Sequence, residues 1–244
     1  MTATPAGITY ADYLHLPELL SAQQPLSALH DEMLFIVIHQ TKELWLKQML
    51  HEVVLACQLI GEDRFAEAYK ALARVSRIQS VMTLSWDVLA TLTPVDYSRF
   101  RDVLGTSSGF QSAQFRELEY RLGVRHTAFL DHYPEGSEDH RRLSVALESA
   151  SLWEVADTAR QRAGAPDWLS VYRDSERWFE LYQLAEKLVD IDDALAGWRH
   201  KHVLTVERII GGKTGTGGSA GVAYLQSTLS KRAFPELWQL RTEL

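Results

Sequence analysis

Two histidines, an arginine with a tyrosine one turn before it, and one glycine-rich run carrying hydroxyls are the residues here whose types and spacing could do chemistry. His39 interrupts the apolar run Leu34-Phe-Ile-Val-Ile38, and apolar residues resume at Leu44, Trp45, Leu46 and Met49. Apolar residues on every side of a helix point to burial on every side. A histidine placed there needs a partner, because burying an unsatisfied polar group costs roughly 2–7 kcal/mol. Two readings fit it: a core histidine bonded to a backbone carbonyl, or an active-site residue. His200 and His202 fall two apart in Trp198-Arg-His-Lys-His202. On a helix they diverge by roughly 200° and cannot share one ion. There is no HExxH, no His/Cys/Asp cluster at zinc spacing, and no nucleophile elbow to support a serine triad. Each histidine therefore acts alone, and a single helical histidine is what haem asks of a protein.

Tyr97 and Arg101 stand at i, i+4, which puts them on one helix face. The run Gly211 to Gly221 holds six glycines in eleven residues. It is not a phosphate loop, since the position five before the Gly212-Lys213 pair is Glu207. Gly215, Gly217 and Ala220 match the dinucleotide fingerprint in spacing, but no strand precedes them and no βαβ unit surrounds them. What remains is a loop bearing Thr214, Thr216 and Ser219, open to two readings: a lid that closes on a ligand, or an ordinary connector.

The elements that must position these residues read as helices throughout. Ser27, a suitable N-cap, opens a long helix to about Leu59, with Asp31 and Glu32 suiting its positive end. Gly61 breaks it, and a second long helix runs from Phe65 to Leu92 on an apolar stripe that includes Val75, Ile78, Val81, Leu84 and Val88. Thr93-Pro94 starts a short helix from Val95 to Leu104; GTSSGFQS follows, then a helix from Ser112 to Leu122. Residues 125–167 carry short helical pieces between breakers and read as a peripheral insertion. A helix of about 30–40 residues ends at Ile210, preceded by a turn near Arg173. Residues 1–26 read as an extended arm with one short helix, Leu16 to Ala22, and with Tyr10 and Tyr13 outside any obvious core. The expected fold is all-α, a single domain over residues 1–244.

Composition bounds the partners. The 244 residues carry a net charge of −7, which offers no basic footprint for nucleic acid or an anionic membrane. No run reaches the roughly 18–20 apolar residues that span a bilayer, and the N-terminus lacks a secretory pattern, so a cytoplasmic protein is expected. Cys57 is the only cysteine, which rules out an intrachain disulfide or a CxxC motif.

Three stretches together resemble the tryptophan 2,3-dioxygenase family: Asp31 to Lys47 (DEMLFIVIHQTKELWLK), Phe100 to Ser112 (FRDVLGTSSGFQS) and Lys213 to Gly221 (KTGTGGSAG). They stand in the family's order, with Trp198-Arg-His-Lys-His202 before the last. The resemblance implies a bundle of long antiparallel helices enclosing a b-type haem with ferrous iron in the active state. It implies cleavage of the indole C2–C3 bond of L-tryptophan by O2 to N-formylkynurenine, in a homotetramer. Carried over residue by residue, His202 matches the proximal iron ligand, and His39 the distal residue facing the indole N–H. Arg101 and Tyr97 match the groups on the substrate carboxylate, and Thr216 the hydroxyl on its ammonium. Phe35 matches an indole-pocket wall; Trp86 and Ser108 match haem-side positions, Trp86 near a propionate. Tyr10 and Tyr13 match an arm that reaches a neighbouring subunit's pocket. Ile38, His200, the Ser219-Ala220 pair and a short middle segment depart from the usual pattern. They leave room for a relative that oxygenates a substituted tryptophan or indole, as a monooxygenase in one form.

Overall fold

The computed structural model describes residues 7–244, so the first six residues of the expected arm lie outside the described residues. Twelve α-helices and four 3-10 turns make up the described chain, and no strand occurs among those residues. Helices α1 (Tyr10–Leu14) and α2 (Leu16–Ser21) precede α3 (His30–Gly61), α4 (Phe65–Leu89) and α5 (Pro94–Phe100). After them come α6 (Ala113–Leu122), α7 (Glu138–Glu148), α8 (Leu152–Arg162), α9 (Trp168–Arg173), α10 (Phe179–Ile210), α11 (Val222–Ser227) and α12 (Pro235–Gln239). The all-α expectation therefore holds.

Helix α3 and helix α4 are joined by a tight turn in which Asp63 takes a left-handed φ of 58°, and they run antiparallel. Helix α10 packs along α4, and α6 and α8 lie against α3. Leu46, Met49, Val53, Leu72, Val75, Leu184 and Leu188 form the centre of the main core. A second, smaller cluster beside it holds Ile38, Trp86, Leu89, Tyr97, Phe100 and Ile209. Asp192, fully buried on α10, fixes the C-terminal segment by accepting from Ala233 N, Phe234 N and Trp238 Nε1 at 3.0–3.2 Å. A buried ion network ties α6 to α10, with Arg116 and Arg199 both on Glu119 at 2.7 and 3.0 Å.

Several sequence expectations need correction. The long helix starts at His30 with no side-chain cap from Leu29. Ser27 is not the N-cap; Glu32 turns back and accepts from Leu26 N, Ser27 N and Ser27 Oγ at 2.5–2.8 Å. Burial would raise the Glu32 pKa, but the bonds from Ser27 and Leu26 carry it below its ordinary value. Tyr10 to Leu14 is helical, not extended, because Thr9 caps it by accepting from Asp12 N. The Val95–Leu104 helix becomes 3-10 from Arg101 onward. Val81, Leu84 and Val88 are not core: their side of α4 faces outward, with Leu84 64% exposed. The α3 run is likewise not buried on every side, as Val37, Leu44 and Trp45 are exposed. In the middle segment α7 and the 3-10 turn Thr127–His132 before it stay outside the main core, but α8 does not. Leu152, Ala156, Ala159 and Ala165 belong to the main core, because α8 lays its apolar side on α3.

Candidate active site

Between the two clusters lies a cavity of about 900 Å³, at the upper end of the roughly 300–1,000 Å³ usual for small-molecule sites. Phe35, His39, Trp86, Tyr97, Arg101, Ser108, His202 and Thr216 all line it. Residues 35 and 216 are thus brought to one chamber by three long helices and two loops. Tyr10 and Tyr13 are not: both sit on α1, at 75% and 70% exposure.

His39 enters from α3, tilted at 38° against Phe35 with ring centres 4.2 Å apart. Its Nδ1 lies 2.7 Å from the Phe35 carbonyl. A carbonyl only accepts, so Nδ1 carries the proton and Nε2 is left as an acceptor. Burial lowers the His39 pKa to about 4, with Lys42 adding to it and the Phe35 bond opposing. The imidazole is therefore neutral near pH 7 and suited to receive an N–H, not to act as a cation. Both readings of the sequence meet here, since the carbonyl-bonded histidine is also the cavity wall.

His202 enters from α10 on the other side. It stacks on Trp86 at 4.3 Å and 11°, with Trp198 at 5.2 Å. Burial, then the charges of Lys42 and His39, push its pKa down to about 3. No hydrogen bond contributes, so the ring is neutral and available as a ligand. His200 points elsewhere, with Nδ1 2.9 Å from the Ala196 carbonyl on an exposed position.

The third wall is polar. Thr93 caps α5 by accepting from Asp96 N, which sets Tyr97 and Arg101 on one face. Tyr97 is buried against Phe100 and Phe35 at 5.4 and 5.9 Å. Burial raises its phenol pKa, and Arg101 beside it pulls the other way. Arg101 donates to the Thr214 carbonyl and Thr216 to the Ser107 carbonyl, each at 2.5 Å. These two bonds latch the glycine loop over the 101–108 segment. The loop needs its glycines for close approach: a Cβ on Gly217 would stand 2.6 Å from Ser108 Cβ. Gly221, at φ +59°, would drive a Cβ to 2.3 Å from the Lys213 carbonyl oxygen.

Does this chamber fit a haem? Five buried polar atoms of residues on its wall have no partner: Lys42 Nζ, Trp86 Nε1, Arg116 Nε, Trp198 Nε1 and Thr205 Oγ1. All five can donate, so the wall calls for an acceptor-bearing or anionic guest. Among the described residues no three His, Cys, Asp or Glu side chains gather to hold a metal ion. An iron here would depend on one histidine and on ligands that the protein does not supply, which is the haem arrangement. The residues fit.

Sequence reasoning missed Lys42 and Trp198. Lys42 follows His39 by three on α3, but it stands among Gln40, Thr41 and Glu43, and no apolar run marks it as His39 is marked.

Comparison with known proteins gives a concordant result. A family model described as tryptophan 2,3-dioxygenase matches residues 1–167 and 158–244. The chain is 62% identical over 259 residues to a tryptophan 2,3-dioxygenase of Caulobacter vibrioides, covering 97% of this chain and 98% of that protein. It is 50% identical to a protein of the same name from Bacillus cereus, covering 98% of this chain and 93% of the other. Against the one from Bordetella pertussis the identity is 48%, over 97% of this chain and 91% of the other. The two matched pieces meet at 158–167, inside the segment read as short for the family.

Proposed function

Since the chain belongs to the tryptophan 2,3-dioxygenase family, we propose that it uses O2 to cleave the indole C2–C3 bond of L-tryptophan, yielding N-formylkynurenine. The observation that carries this reading is the convergence of eight matching side chains on one cavity, in a chain whose relatives bear that name over nearly their full length. The same full-length identity weighs against a paralogue that oxygenates a substituted indole. When bound, haem b supplies the ferrous iron at which O2 is activated, and the protein supplies binding and orientation.

His202 would hold the iron as a neutral imidazole, and Trp86 and Ser108 would border the cofactor. His39 Nε2 would accept the indole N–H, with Phe35 as the wall on which the indole rests. Arg101 would exchange the Thr214 carbonyl for the substrate carboxylate, a stronger charge-assisted and bidentate partner. Tyr97 would add its hydroxyl, and Thr216 would turn from Ser107 to the ammonium. The indole is thus held at both ends before reaction, which is positioning catalysis, while the loop excludes water. Ferrous protein given L-tryptophan and air should form a product heavier by two oxygen atoms. A gain of one oxygen would instead establish a monooxygenase.

Gly217→Val should hold the loop off Ser108 and raise KM for L-tryptophan about tenfold or more while haem content stays unchanged. An unaltered KM would mean that the loop does not close on substrate.

We further propose a homotetramer, supported by the outward apolar stripe Val81, Leu84 and Val88 and by the exposed Val37 and Leu44. Tyr10 and Tyr13 would reach a neighbour's pocket, residues 1–244 would act as one unit, and the site of action would be the cytoplasm. No helix among the described residues is long and apolar enough to cross a membrane. Light scattering tests the assembly: a monomer that turns over at the same rate would overturn both the tetramer and the arm's role.

A further inference from the structure

We propose that Lys42 is a haem-binding residue whose ammonium pairs with a cofactor carboxylate. This rests on the haem reading above, and on four observations at the cavity wall.

Lys42 sits on α3 three residues after His39 and is only 6% exposed. A lysine usually keeps its ammonium in water even when its stem is covered; this one does not, since Nζ is buried and has no hydrogen-bond partner. Its position over the Trp86 ring, 2.9 Å from the centre, gives a cation–π contact but leaves three N–H donors without acceptors. Buried charges persist where something neutralises them.

The protein does not offer that neutralising charge. Of the acids on the cavity wall, Glu32 is held by Leu26 and Ser27, and Glu43 by Gln114. Glu119 is shared by Arg116 and Arg199. Asp139 lies in the first turn of α7, at the end of the chamber formed by the peripheral segment. The substrate carboxylate is matched to Arg101 on the loop wall. The anion that Lys42 faces must come with the other guest, and haem brings two carboxylates. Trp86 Nε1, equally without a partner and in contact with Lys42, would donate to the same group.

The test compares haem with haem dimethyl ester, which has the same ring and iron but no carboxylate charge. The full chain, expressed under haem limitation, is loaded with each, and release to excess apomyoglobin is timed. The wild type should keep haem about tenfold longer than the ester. In Lys42→Met the haem release rate should rise toward that of the ester, whose own rate is unchanged. Lys42→Arg, which keeps the charge, should retain most of the preference. Equal release of haem and ester from the wild type would overturn the proposal without any variant. An unchanged haem-to-ester ratio in Lys42→Met would also overturn it. A ferric wild-type spectrum that is low-spin and turns high-spin in Lys42→Met would overturn it differently, by making Lys42 an axial ligand. A wild type with no Soret band at all would instead remove the haem reading itself.

Discussion

His202→Ala is expected to purify as a folded helical protein with no Soret band and no turnover. Losing a group that only supports a metal ligand costs 10–100-fold in affinity, so losing the single protein ligand should weaken haem binding by more than about 100-fold. The helical fold should survive, because His202 makes no hydrogen bond that its removal would break. Its contacts are the stack on Trp86 and the tilted ring of Trp198. The far-ultraviolet circular dichroism should match the wild type, and added imidazole should restore part of the Soret band by filling the vacated space. His39→Ala gives the contrast: haem content near that of the wild type, with turnover reduced. If His202→Ala keeps its haem while His39→Ala loses it, the two histidines have exchanged roles. An unchanged haem content in both would mean that neither holds the iron.

The two histidines were legible in the sequence for different reasons. His39 showed itself as a polar interruption in an apolar run, a conflict that the Phe35 carbonyl resolves. Helix geometry showed only that His200 and His202 cannot share an ion, and it was the resemblance that chose His202; the structure leaves His200 exposed and turns His202 into the cavity. Lys42 was not legible. A lysine among Gln, Thr and Glu reads as the solvated side of a helix, and only the observed rotation of α3 turns it inward. The outward apolar side of α4 misled in the opposite sense. Val81, Leu84 and Val88 satisfy core periodicity as well as Leu72 and Val75 do, and a period cannot tell a core from an apolar surface. The start of α3 went wrong locally: Ser27 has capping chemistry and its Oγ does accept from Leu29 N, but Glu32 holds Ser27 by its own N–H and hydroxyl, and the helix begins only at His30. Composition placed Thr214 and Thr216 in one glycine-rich run. Which hydroxyl or carbonyl meets Arg101 depends on a three-dimensional latch that no spacing encodes.

Arg101→Leu should separate a carboxylate clamp from a loop fastener, because the two roles act on different substrates. In the structure the guanidinium donates to the Thr214 carbonyl, so the variant loses the latch as well as any substrate pair. A missing latch would impair every ligand that needs the loop closed, indole included. A missing clamp would impair only ligands with a carboxylate. Truncating one partner of a charged, hydrogen-bonded pair costs roughly 2–5 kcal/mol, or about 30- to 5,000-fold in kcat/KM. Arg101 is partly exposed, which favours the lower part of that span. The expected result is a loss of about 100-fold for L-tryptophan and a change within about threefold for indole, read as oxygen uptake with each. Arg101→Lys should recover only part of the difference, since a single ammonium cannot reproduce the bidentate fork. Equal losses for both substrates would assign Arg101 to the loop alone, and the carboxylate would then need another partner on this wall.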